Sequence, residues 1–112
     1  MKLSVLIPVY NECKTISLIL EKVKSVSLDK EIIVVDDGSV DGSKEFLKTI
    51  DDPQIRVIFH ERNMGKGSAL RSAIAESSGD IVIFQDADLE YDPSEYPALI
   101  KPIVDGVADV VY

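Results

Sequence analysis

The sequence has few of the residues that mark extracellular, membrane-spanning or nucleic-acid-binding proteins. Its 112 residues include one cysteine, Cys13, which excludes an internal disulfide bond and favours a reducing compartment. No apolar run approaches the roughly 20 residues that a membrane-spanning helix needs. A formal net charge of −8 argues against binding to nucleic-acid phosphates. An acidic protein of this kind can still bind an anionic small molecule if a divalent cation bridges the two.

The N-terminal apolar stretch and the single histidine exclude two further classes, secreted proteins with a signal peptide and proteins with a histidine-based metal cluster. The apolar stretch at the N-terminus is too short for a signal peptide and runs into Tyr10, Asn11 and Glu12 rather than a small-residue cleavage site. We therefore interpret it as a buried strand and expect a cytoplasmic protein. The single histidine, His60, cannot form a histidine-based metal cluster, and the sequence gives no reason to assign it a role.

Apolar runs alternate with amphipathic stretches along the chain. The runs predict strands over residues 3–9, 31–36, 55–60, 80–85 and 108–112. The stretches between them predict helices over residues 12–26, 42–50, 68–78 and 94–104. Most of the runs are continuous and β-branched, as in strands that are covered on both faces. This order predicts an α/β fold, a Rossmann-like doubly wound and mainly parallel sheet, in one domain over residues 1–112. The sequence ends within the last predicted strand, so we expect a truncated domain.

The sharpest chemical feature is the triplet Asp86-Ala87-Asp88, which follows the fourth predicted strand. In an extended segment, residues two apart point the same way, so Asp86, Asp88 and also Glu90 are expected to share a face. Like charges that close are costly unless they are neutralised, and Mg²⁺ or Mn²⁺ prefers oxygen ligands. An isolated Asp-x-Asp is more often a solvated loop. Here it ends a buried strand on the side where parallel sheets bind ligands, which favours a metal site.

Two other segments follow predicted strands. Asp36-Asp37-Gly38-Ser39 is at least a turn before a helix. Residues 37–42 are similar to the opening of an EF-hand calcium loop. Such a loop is excluded because its twelfth position, counted from Asp37, would be Lys48 rather than Glu. A carboxylate at a strand end beside glycine is better placed to accept hydrogen bonds from a base or ribose. Gly65-Lys66-Gly67 precedes a helix and suits an anion, but it lacks the third glycine of the dinucleotide fingerprint.

Taken together, these residues resemble the family 2 glycosyltransferases with the type-A fold. The matching segments, residues 4–12, 33–42, 63–67 and 79–88, occur in the family's order. Each is weak alone, and together they are specific. Asp-Ala-Asp-Leu followed by Glu90 and then Pro93 is most similar to the polyprenyl-phosphate sugar transferases, the dolichyl-phosphate mannose synthase group.

The resemblance implies a role for each matching residue. Asp37 would be the polar anchor for base and ribose, and Ala87 would pack against the nucleotide. Asp86 and Asp88 would be the catalytic pair that holds the metal and the diphosphate, with Glu90 where relatives usually have Gln. The implied nucleotide-binding residues are Pro8, Tyr10, Glu12, Val35, Asp37, Lys66, Gly67 and Ala87.

The resemblance also implies an activity: a UDP- or GDP-sugar donor bound through Mg²⁺ or Mn²⁺, with inverting transfer to an acceptor such as polyprenyl phosphate. It implies a location at the cytoplasmic face of the membrane for the full-length protein. A non-catalytic nucleotide-binding fragment is the alternative. A receiver-type signalling module is less favoured, because its acidic pair would follow the first strand rather than the second. A sugar nucleotidyltransferase should have a glycine-rich loop after the first strand, where this chain has residues 8–12.

Overall fold

Strands and helices alternate strictly along the chain in a computed structural model that describes residues 2–26, 28–85 and 87. The strands within these residues are β1 (Leu3–Val9), β2 (Lys30–Asp37), β3 (Ile55–His60) and β4 (Ile81–Phe84). The helices are α1 (Ile16–Ser25), α2 (Ser43–Lys48) and α3 (Lys66–Glu76). The predicted helix over 94–104 and strand over 108–112 lie outside the described residues. No helix in the described ranges is long and apolar enough to cross a membrane.

The four strands form one parallel sheet in the order β3-β2-β1-β4. Leu3 of β1 pairs with Lys30 on one side and with Ile81 on the other. The order therefore reverses at β1, because β2 and β3 lie to one side of it and β4 to the other. Sheets of this kind bind ligands outside the carboxyl ends of the strands at such a reversal. The topology thus directs attention to the segments that follow β1 and β4.

Both faces of the sheet are covered, which explains the continuous apolar runs. On one face, buried residues of α1 and α2 pack against Val5, Ile7 and Val34. On the other face, Ala69 and Ala73 of α3 pack against Leu6, Ile33 and Val35. These small alanine side chains let α3 lie close to the two central strands, so its first turn reaches the same sheet edge as the strand ends.

The helices begin at residues other than those the sequence predicts. α1 begins at Ile16 rather than at residue 12, because Glu12 starts a turn whose carbonyl accepts the N–H groups of Thr15 and Ile16. α2 begins at Ser43, after Gly42 with φ +104°. α3 begins at Lys66, two residues earlier than predicted, directly after Gly65 with φ +97°. Each difference lies at the carboxyl ends of the strands, where side chains and glycines decide the chain path.

Candidate functional site

The loops after β1 and β2 are joined by three hydrogen bonds that we call the loop latch. Three consecutive backbone N–H groups of the first loop each donate to a side chain of the second loop or of Ser43, the first residue of α2. The pairs are Asn11 with Ser39 (3.0 Å), Glu12 with Ser43 (3.1 Å) and Cys13 with Asp41 (3.1 Å). The latch was not predicted from the sequence. The feature that could have indicated it is the alternation of short oxygen-bearing side chains at positions 39, 41 and 43. The two loops therefore form one structural unit.

Asp41 anchors this unit from within the second loop. Its Oδ1 accepts the backbone N–H of Ser43 at 3.0 Å and the Ser43 hydroxyl at 2.7 Å, and its Oδ2 accepts the N–H of Cys13. Partial burial acts to raise the pKa of Asp41, but these hydrogen bonds to the charged form outweigh it and hold the pKa well below its usual range. Asp41 thus stays ionised and holds both loops.

The first loop presents its side chains at the edge of the sheet through an unusual backbone conformation. Asn11 has φ +54°, which asparagine tolerates better than most residues, and its Oδ1 accepts the N–H of Val40 at 2.9 Å. Tyr10 beside it is 46% exposed, whereas Pro8 and Glu12 are half-buried. The three predicted nucleotide-binding residues of this segment therefore lie at the carboxyl end of β1.

Asp37 is buried at the end of β2 and organises the loop between β3 and α3. Its Oδ1 accepts the N–H of Met64 at 2.9 Å, and its Oδ2 accepts the N–H of Gly65 at 2.9 Å. Burial acts to raise the pKa of Asp37, but the hydrogen bonds from His60, Met64 and Gly65 outweigh it and lower the pKa below its ordinary value. The carboxylate is already engaged by protein donors, and its contact with a nucleotide stays a prediction.

His60, to which no role was assigned from the sequence, has partners at both ring nitrogens. Its Nδ1 lies 2.8 Å from Asp37 Oδ1, and its Nε2 lies 2.9 Å from Ser72 Oγ. The parallel register places His60 directly beside Asp37 at the ends of β3 and β2. This pair was not predicted, because the sequence does not show the strand register, and the register is what places the two residues side by side.

The remaining predicted residues on this side lie at or under the start of α3. Lys66 and Gly67 are exposed in its first turn, where a helix N-terminus favours anions. Val35 of β2 is fully buried in the core beside Ala69 and Ala73 of α3, so neither its side chain nor its backbone is exposed. Its predicted contact with the base therefore stays a prediction that the side chain's position does not favour.

The segment after β4 is held against the start of α1. Backbone pairing continues past the strand, since Gln85 N–H donates to the Leu6 carbonyl at 2.9 Å. The Thr15 hydroxyl donates to the Ala87 carbonyl at 2.5 Å, and Ala87 is buried in the core. Ala87 thus lies at the reversal of strand order. The flanking Asp86, Asp88 and Glu90 lie outside the described residues, so their metal contacts stay predictions.

The described carboxylates do not form a metal centre by themselves. Within the part of the chain that the structure describes, no three His, Cys, Asp or Glu side chains are grouped to hold an ion. Asp36 is fully buried with both oxygens unpartnered, but one enclosed carboxylate does not supply the several oxygen ligands that Mg²⁺ or Mn²⁺ needs. A metal at this edge would therefore need ligands from outside the described residues.

Comparisons with known proteins agree with this geometry. The chain matches the family described as Glycosyl transferase family 2 over residues 4–112. Two curated relatives are the undecaprenyl-phosphate 4-deoxy-4-formamido-L-arabinose transferases of Proteus mirabilis and Photorhabdus laumondii, which are 39% and 40% identical over 117 residues. Each match covers 98% of this chain and 36% of the relative, so the chain spans 36% of the length of these proteins.

Solved structures share the fold. S. aureus TarS 1–349 superimposes with a TM-score of 0.78 at 28% identity, over 95% of this chain and 33% of that one. Mannosyltransferase PcManGT from Pyrobaculum calidifontis, in complex with GDP-Man and Mn²⁺, gives 0.72 at 27% identity, over 86% and 30%. Glucosyl-3-phosphoglycerate synthase from Mycobacterium tuberculosis gives 0.73 at 35% identity, over 94% and 40%. The predicted fold class and family resemblance are confirmed: the chain belongs to glycosyltransferase family 2.

Proposed function

We propose that this chain, over residues 1–112, is the nucleotide-sugar-binding part of a glycosyltransferase. Its donor is a UDP- or GDP-sugar, and the longer protein transfers the sugar with inversion to an acceptor. The observation that carries the proposal is the reversal of strand order at β1, where Thr15 holds Ala87 beside the loop latch. A ligand in this crevice meets the carboxyl ends of β1 and β4, as in other open α/β sheets.

The nucleotide is expected to lie along the edge from β1 towards α3. Tyr10 offers an exposed aromatic ring, and Pro8 and Glu12 flank it on the same segment. On the far side, Lys66 and Gly67 form the exposed first turn of α3, whose N-terminal partial charge favours a phosphate. We assign these residues, with Asp37 and Val35, to the nucleotide pocket. Ala87 is assigned to the same pocket, packed against the nucleotide.

The diphosphate needs a cation in a protein this acidic. We propose that Asp86 and Asp88 are the catalytic pair that holds Mg²⁺ or Mn²⁺, with Glu90 as a further oxygen ligand. The ion would stabilise the charge that develops on the nucleoside diphosphate leaving group. The structure of PcManGT with GDP-Man and Mn²⁺ supports a metal in a protein of the same fold. The chain's own contribution is to fix the segment after β4 through Thr15 and Gln85.

The acceptor is proposed to be a polyprenyl phosphate, which the names of the curated relatives support. A phosphate acceptor is already anionic near neutral pH, so it needs little help from a general base. Such a lipid resides in a membrane, and we therefore place the longer protein in the cytoplasm at the cytoplasmic face of the membrane.

Calorimetry tests the donor-binding proposal. UDP and GDP are titrated into the chain, each with Mn²⁺ and with EDTA, and one nucleotide is expected to bind only when the metal is present. Asp88→Ala should weaken this metal-dependent binding by at least about tenfold while the thermal unfolding curve is unchanged. Asp51→Ala is the matched control, because Asp51 is an exposed carboxylate before β3, at the opposite edge of the sheet.

Three results would count against the proposal. Binding of neither nucleotide would contradict the donor site, and equal affinity in EDTA would contradict the role of the metal. An Asp88→Ala variant that keeps the Mn²⁺ requirement of the original chain would contradict the assignment of that ligand.

A further inference from the structure

We propose that His60 is a positioning residue of the donor site. It fixes the Asp37 carboxylate, which in turn orders the loop between β3 and α3. The choice of ligand rests on the proposed function, whereas the hydrogen-bonding role of His60 stands on the geometry of the described residues. The proposal therefore makes one claim about structure and one about affinity.

The contact between His60 and Asp37 is a buried hydrogen bond with a defined direction. Nδ1 and Oδ1 are 2.8 Å apart, and the side chains are 11% and 4% exposed. An ionised carboxylate can only accept hydrogen bonds, so Nδ1 must carry the proton and donate it. A bond of this kind to a charged acceptor, away from solvent, is among the stronger ones in a protein.

The second ring nitrogen fixes the orientation of the imidazole. Nε2 lies 2.9 Å from the hydroxyl of Ser72, which belongs to α3. With Nδ1 protonated, Nε2 can accept from the Ser72 hydroxyl or, if it also carries a proton, donate to it, and in both cases the contact holds the ring in place. The ring thus bridges the end of β2 and a middle turn of α3. The arrangement requires a proton on Nδ1, which donates to Asp37.

The Asp37 carboxylate, held by His60, in turn holds the backbone of the loop between β3 and α3. Its two oxygens accept the N–H groups of Met64 and Gly65, each at 2.9 Å. Gly65 has φ +97° and is followed directly by the first residue of α3. If His60 no longer donates to Oδ1, the carboxylate loses one of its three described donors and is freer to turn about its Cβ–Cγ bond. The two backbone bonds would then be less well held, and so would the turn that begins α3.

This turn is where the proposed donor would be affected. Lys66 and Gly67 belong to it, and their placement decides how the N-terminus of α3 meets a phosphate. His60 does not need to touch the nucleotide to change its affinity. We therefore expect the effect of its loss in donor binding and in the amides of the loop together.

A pair of substitutions separates the two ring nitrogens. In His60→Asn, the side-chain amide can place a donor near the position of Nδ1 and keeps the bond to Asp37. In His60→Gln, the longer side chain reaches the position of Nε2 and keeps the contact with Ser72 but loses the one with Asp37. Arg56→Gln is the control on the same strand, because Arg56 forms an exposed ion pair with Glu76 towards the other end of β3.

Three measurements are made on the 112-residue chain. The dissociation constant of UDP and GDP with Mn²⁺ is expected to rise about tenfold in His60→Gln and to return most of the way in His60→Asn. Amide hydrogen exchange at Met64 and Gly65 should accelerate in His60→Gln but not in Arg56→Gln. In the unsubstituted chain, ¹⁵N chemical shifts of the ring should show that Nδ1 carries a proton, a measurement that needs neither a variant nor a nucleotide.

The outcomes distinguish this proposal from the proposed function. A ring without a proton on Nδ1, or unchanged exchange at both amides in His60→Gln, would overturn the positioning role whatever the nucleotide does. Nucleotide affinity that is equal in His60→Gln and Arg56→Gln would overturn its effect on the donor. If the unsubstituted chain binds neither nucleotide, the donor site fails, and so does the claim about affinity, whereas the exchange and tautomer results still decide the structural claim.

Discussion

Gly38 shows how one residue permits two loops to meet. Its φ is +78°, and a Cβ at this position would lie 2.5 Å from both the Arg62 carbonyl carbon and the Asn63 nitrogen. These are backbone atoms, which cannot swing aside as a flexible side chain does. Gly42, four residues later, has φ +104° but no atom within 4 Å of such a Cβ. A side chain at Gly42 would therefore cause backbone strain alone, whereas one at Gly38 would cause both backbone strain and a steric clash.

Alanine at each of these glycines gives a matched comparison. Gly42→Ala should lower the free energy of unfolding by about 1–2 kcal/mol, the cost of placing an L-residue in the left-handed region. Gly38→Ala should lose about 1–3 kcal/mol more, because the methyl group is also forced into the backbone of the next loop. Urea unfolding followed by circular dichroism measures both. Equal losses would contradict the close approach of the two loops.

The contacts of Asp37 could not be predicted from the sequence. Asp37 was predicted as a functional carboxylate because it follows a buried strand and precedes glycine. Its actual partners His60, Met64 and Gly65 are 23 to 28 residues away along the chain. No local pattern encodes contacts at that separation, since they depend on strand register and on the path of a loop.

At the scale of elements, the loop latch explains why α1 begins late. Residues 12–15 form a turn whose N–H groups at positions 12 and 13 donate to Ser43 and Asp41 rather than lie within a helix. Amphipathic periodicity therefore located the apolar face of α1 correctly and its first turn incorrectly. Ile16, Ile19, Leu20 and Val23 are buried as the periodicity predicts.

Ser43 is the residue on which the latch can be tested. It is fully buried, and its hydroxyl donates to Asp41 at 2.7 Å while accepting the N–H of Glu12 at 3.1 Å. Ser43→Ala leaves that N–H without its acceptor and should lower the free energy of unfolding by about 1–3 kcal/mol. Ser25→Ala is the control, because Ser25 is exposed and donates to Lys22 of its own helix. Urea unfolding should show little change for the control; a similar loss in both variants would argue against the latch.

At the scale of the whole molecule, the sequence predicted a doubly wound parallel sheet but not the order of its strands. Alternating apolar and amphipathic segments are enough to predict parallel strands joined by helices. The alternation does not predict whether β4 joins the sheet beside β3 or beside β1, because that depends on which of these two strands its side chains pack against. The observed order β3-β2-β1-β4 places the segment after β4 beside the loop after β1.

Close packing at the opposite edge helps to hold β4 in this place. A Cβ on Gly79, just before β4, would lie 2.6 Å from Ser4 Oγ and 2.7 Å from Ser4 N. Glu31 accepts the hydroxyl of Ser4 and the N–H of Ser78, so one carboxylate joins β1, β2 and the loop that leads into β4. These contacts tie the strands together at the edge where β1 and β4 begin.

If a metal-bound nucleotide lies at the carboxyl ends of β1 and β4, paramagnetic Mn²⁺ will broaden the amide NMR signals of the residues closest to it. Amide NMR spectra of the chain are compared with Mn²⁺ and with diamagnetic Mg²⁺, each with the nucleotide that binds in calorimetry. We predict that Mn²⁺ broadens the signals of Tyr10, Glu12 and Ala87 and leaves those of Lys2 and Ser78, before β1 and β4, largely sharp. Broadening centred on the latter two, or spectra that are the same with either ion, would contradict the account.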